Sequence, residues 1–122
     1  MTTAQLALRR RIFEAFAATG APPDLPDSPD LRALAAAHVI VLDDRARIVM
    51  AHPFAAHRDG ARVEAGGRIW WGSCAWDGFG IVHALGLDGA TIIAQGIDAS
   101  GPGVLFEVAV PAARWWDDIA HT

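Results

Sequence analysis

Ten residues near the start of the chain, APPDLPDSPD (21–30), hold four prolines and three aspartates. Proline fixes its own φ, lacks an N–H and pushes the residue before it out of the helical region, so no helix or strand can run through this stretch. Whatever the chain folds into must therefore be assembled from a first element that ends before residue 21 and others that begin at or beyond the far end of the stretch. Before the link, Leu6, Leu8, Ile12, Phe13, Ala15, Phe16 and Ala17 recur at near-helical spacing, and Gly20 followed by Pro22 and Pro23 ends the pattern. Residues 4–19 are predicted as an amphipathic helix. At the far end of the link Ser28, Pro29 and Asp30 offer an N-cap and first turn for a short helix through Ala37.

Two apolar runs follow, HVIVLDD and RARIVMAHPF, joined through Asp43 and Asp44 as a strand pair with a tight polar turn. Helix, link, short helix and hairpin is the order of a small winged-helix-like lobe, assigned to residues 1–58, although the usual three-helix version needs another short helix within the link. From residue 61 the texture changes. ARVEAGGRIWWG alternates polar and apolar positions around Gly66 and Gly67, as a hairpin does. CAWDGFGIVHAL (74–85) then carries Trp76, Phe79, Val82 and Leu85 at i, i+3 spacing and is closed by Gly86, which predicts a helix. Gly78 and Gly80 weaken it but permit close packing. ATIIAQGI and GVLFEVAV flank the turn-forming DASGPG and are expected to pair as antiparallel strands, and PAARWWDDIAHT has the makings of a terminal helical turn. The predicted fold class is α+β, with residues 59–122 as a second lobe of antiparallel strands around a central helix.

With 122 residues, 52% of them hydrophobic, and a mean hydropathy of +0.25, the chain can bury a core of single-domain size. Its net charge of −4, from 14 acidic residues against 10 basic ones, argues against nucleic acid and anionic membrane as partners. All the basic residues are arginine, and the one cluster, Arg9 to Arg11, reads as a solvated helix face. A single cysteine excludes an intramolecular disulfide, and the first residues carry no apolar signal core; a reducing cytoplasm is the compartment that fits. No apolar run approaches the roughly 18 residues of a membrane span.

That cysteine, Cys74, stands three residues ahead of Asp77 in WWGSCAWDGFG. Cysteine reacts as the thiolate, a form favoured by the unpaired N–H groups and positive dipole end of a helix N-terminus, and i, i+3 spacing puts the carboxylate on the same helical face. The same residues equally describe a small buried apolar side chain beside a helix-stabilising carboxylate. Trp71, Trp76, Trp115 and Trp116 are candidates to wall an apolar pocket that accepts an organic group and excludes water, although tryptophans are more often core. Ser28, Ser73 and Ser100 lack a nucleophile-elbow context. The histidines, His38, His52, His57, His83 and His121, show no zinc-site spacing and read as surface or core residues; His83, nine positions beyond Cys74, is too far along the helix to serve as its base.

IWWGSCAWDGFGIVHALG resembles the central motif of the alkylmercury (organomercurial) lyase family: an aromatic-rich strand, a cysteine, an aspartate three positions later, and a helix with a Leu-Gly stop. RVEAGGRIWW resembles the family's preceding hairpin, ATIIAQGIDASGPG the strand and turn that follow, and VPAARWWDDIAHT a stretch in which WWDDI runs toward a later cysteine. The winged-helix-like N-terminal lobe is also part of the family pattern. The resemblance implies protonolysis of a carbon–mercury bond without a cofactor, with Cys74 as nucleophile and transient mercury ligand and Asp77 as proton donor to the leaving carbon. The substrate would be a small organic or organometallic molecule. The family's second cysteine, expected beyond WWDDI, has no counterpart here, and a further one between the two corresponds to Gly96. An external thiol, or His121 as accessory ligand or base, would have to stand in for it. Otherwise the reaction is a different protonation, elimination or cyclisation, or the chain is a non-catalytic metal- or ligand-binding module or a winged-helix regulator.

Overall fold

A computed structural model describes residues 1–94 and 104–108. Helix α1 spans Thr3–Thr19. Thr2 and Gln5 close a reciprocal capping box at its start, and Gly20, left-handed at φ 74°, stops it. A side chain at Gly20 would also strike the Ile69 carbonyl oxygen at 2.5 Å, so glycine is required there on two counts. Residues 22–28 carry no regular structure, so the link contributes no additional helix. Helix α2, Pro29–Ala36, begins as expected with Ser28 accepting the Leu31 N–H at 3.1 Å and Pro29 in the first turn.

The next segment is a three-stranded antiparallel sheet, β1 (Val41–Leu42), β2 (Ile48–Ala51) and β3 (Phe54–Ala55), in that order. The run RARIVMAHPF, expected as one strand, is split at His52 and Pro53, because proline has no N–H with which to continue the ladder. A four-stranded antiparallel sheet follows, in the order β5-β4-β6-β7, from β4 (Ala61–Ala65), β5 (Arg68–Gly72), β6 (Ala90–Ala94) and β7 (Val104–Val108). Gly66 and Gly67, both at positive φ, form the two-residue turn of the β4–β5 hairpin. The β6–β7 pairing runs from Ala90↔Val108 to Ala94↔Val104.

Between the hairpin and β6 lies α3, Ala75–Leu85, packed on β4, β5 and β6. Its buried side is Asp77, Gly78, Ile81 and Val82; of the predicted stripe Val82 is buried and Phe79 and Leu85 pack half-buried against the core, while Trp76 is 68% exposed. The reason is Gly78. A Cβ there would lie 2.9 Å from Ile92 Cγ2, so the helix meets the sheet through its glycine and turns Trp76 outward. One apolar cluster joins Ile12 and Phe16 of α1 and Leu31 and Leu34 of α2 to Val63, Trp70, Ile81 and Ile92. Among the described residues the architecture is α+β, three helices with two antiparallel sheets, and no helix is long and apolar enough to cross a membrane.

Candidate active site

Ser73 and Cys74 connect the end of β5 to the start of α3. Cys74 is the N-cap, with extended backbone (φ −149°, ψ 175°), one residue before the first helical position rather than within the first turn. Its carbonyl accepts the Gly78 N–H at 3.1 Å, while its side chain makes no bond to the helix and is exposed. The thiol is thus accessible, and the reading of Cys74 as a buried packing residue does not apply.

Asp77, three residues on, is 7% exposed. Its position is imposed from below, since a Cβ on Gly72 would come within 2.7 Å of Asp77 Cβ and 3.1 Å of the Pro53 carbonyl oxygen. Two partners hold the carboxylate. The Ser73 N–H donates to Oδ2 at 3.2 Å, and His52 Nδ1, from the turn between β2 and β3, lies 3.1 Å from Oδ1. An imidazole nitrogen and a carboxylate oxygen at that distance hold one proton between them, because two bare acceptors would repel. The His52 side chain is 75% exposed, so this proton has a path to water.

A second set of side chains adjoins the first. The Ser73 hydroxyl is 3.3 Å from Met50 Sδ and 3.3 Å from His57 Nε2, and His57 Nδ1 contacts Asp59 Oδ1. The hairpin register accounts for the meeting: Ala61 pairs with Gly72, so the residues just before β4 lie beside those just after β5. Gly60 is pressed against this turn, where a Cβ would sit 2.2 Å from the Gly72 oxygen and 2.8 Å from the Ser73 oxygen.

Cys74 and Asp77 thus flank one helix start as the sequence indicates, whereas by sequence His52 and His57 read as surface or core histidines, Ser73 is set aside for want of a nucleophile-elbow context, and Asp59 is not singled out. For His57 and Asp59 the signal was available, since a two-residue glycine turn fixes which residues oppose one another; for His52 there was none, because β2, β3 and α3 are brought together only by packing. Of the tryptophans expected over Cys74, Trp71 is half-buried and Trp76 lies against Phe79 with the rings tilted at 54° and their centroids 6.0 Å apart. Trp70 is core, its indole N–H donating to the Ala17 carbonyl at 2.8 Å. Trp115, Trp116, His121, Gly96 and the WWDDI stretch lie outside the described residues. Among the described residues no three His, Cys, Asp or Glu side chains converge as a metal site. Comparison of the chain with protein-family models, with curated proteins and with solved structures found no match.

Proposed function

We propose that the chain acts as a carbon–mercury lyase of the alkylmercury-lyase type, its first two helices and β1–β3 corresponding to the winged-helix-like lobe of that family. The observation that carries this reading is an exposed thiol at a helix N-cap with the buried carboxyl group of Asp77 one turn away, itself joined to a solvent-facing histidine. Mercury is soft and prefers sulfur to oxygen or nitrogen ligands. The Cys74 sulfur displaces the weaker ligand of R–Hg–X and loses its proton. The carbon–mercury bond then breaks with its electron pair on carbon, which takes the proton held by Asp77 and leaves as R–H. Mercury remains on Cys74, joined by an external thiolate. His52 returns a proton to Asp77 Oδ1 and is recharged from water.

The test is turnover. Purified protein with excess small thiol is expected to release hydrocarbon from an organomercurial, and Cys74→Ser and Asp77→Asn are each expected to abolish release. An inactive wild-type protein overturns the reading.

A further inference from the structure

The hydrogen-bonded chain Asp59–His57–Ser73 lies beside the Cys74–Asp77 pair and takes no part in the chemistry assigned to it. A carboxylate can only accept, so the His57 nitrogen facing Asp59, Nδ1, is the one that carries hydrogen. In the neutral ring Nε2 is then the free base, and Nε2 is the atom 3.3 Å from the Ser73 hydroxyl. The alternative acceptor for that hydroxyl, Met50 Sδ, is a weak one. Ser73 itself is fixed: it is half-buried, its N–H is held by Asp77, and it occupies a strand-to-helix turn.

We propose that Ser73 is a nucleophile toward small carboxylic esters, with His57 as its general base and Asp59 as the residue that positions His57. The Ser73 Oγ–H proton passes to His57 Nε2 as the Oγ–carbon bond forms at the acyl carbon. Collapse of the tetrahedral adduct breaks the ester C–O bond, and the proton on Nε2 goes to the departing alkoxide. Water, deprotonated by the same nitrogen, then cleaves the acyl–Ser73 ester; the sum is ester plus water to acid plus alcohol. His57 and Asp59 are exposed, which suits short, unhindered esters reaching the site from solvent. This activity does not depend on the carbon–mercury reading.

An alkyl fluorophosphonate, which exchanges its P–F bond for a P–O bond to an activated serine, tests the assignment on the full chain with peptide mapping. Label is expected on Ser73, absent in Ser73→Ala and slowed on the order of 10²-fold in His57→Gln, with hydrolysis of p-nitrophenyl butyrate falling in parallel. Asp59→Asn is expected to slow labelling and Asp59→Glu to retain it, a distinction a merely structural carboxylate would not make. His57→Gln changes an exposed loop residue, so it reports on the base even if Ser73→Ala disturbs the turn. Absence of label from Ser73, label at a different residue, or a rate unaffected by His57→Gln overturns the proposal.

Discussion

Asp77 is the one charged side chain among the described residues that is buried, and a buried carboxylate needs partners. It has the Ser73 amide on one oxygen and His52 on the other, and it sits in the first turn of α3, where the helix dipole favours negative charge. Those contacts suit a helix end as well as the proposed proton donor, and His52 separates the two roles. An imidazole open to water contributes little to stability, whereas in the proposed reaction it is the group that resupplies the proton. In the hydrocarbon-release assay we expect His52→Ala to lower turnover on the order of 10²-fold, with partial rescue by added imidazole and little change in thermal midpoint. Unchanged turnover with a lowered midpoint would make His52 a structural partner only.

At the level of elements, local chemistry decides most of what is seen. The Ser28 cap with Pro29 after it starts α2, and the paired glycines close the β4–β5 hairpin. Asp43 closes the β1–β2 turn, its Oδ1 accepting the N–H groups of Arg45 and Arg47 at 2.9 Å each. These bonds, the one from Arg47 foremost, hold the Asp43 carboxyl below the usual carboxylate range. Because the folded-state value is the lowered one, the turn is stabilised above the unfolded-state pKa of about 3.9 and loses that contribution as pH falls through the folded value. Asp27, held down chiefly by its hydrogen bond from Arg32, has the same sign. Asp43→Asn cannot ionise, so its thermal midpoint should fall less steeply than that of wild type between about pH 5 and pH 1. Coincident pH profiles would show that ionisation of Asp43 does not contribute.

For the whole molecule, the end of α1 is the junction that matters. Its last turn carries no basic residue of its own. The orphan carbonyls of Ala17 and Ala18 are instead met by β5, through Arg68 at 2.9 and 2.8 Å and the Trp70 indole at 2.8 Å, with the Arg68 guanidinium over the Trp70 ring. Trp70→Phe removes that N–H and leaves a void in the core, and should cost about 2 kcal/mol in urea unfolding, still as one transition. Two separated transitions would show that α1 and the four-stranded sheet do not unfold as a unit. The sequence by itself determined the helix ends, the glycine hairpin, the antiparallel strand pairs and the place of Cys74 and Asp77 at one helix start, because caps and turns act over a few residues. It placed Trp76 on the packed face of α3, where a glycine contact with Ile92 turns it outward, and it ran RARIVMAHPF on as one strand through the turn at His52 and Pro53. Only the tertiary structure decided that His52 meets Asp77 and that His57 meets Ser73, because those contacts span 25 and 16 positions and arise from the packing of separate strands on one helix start.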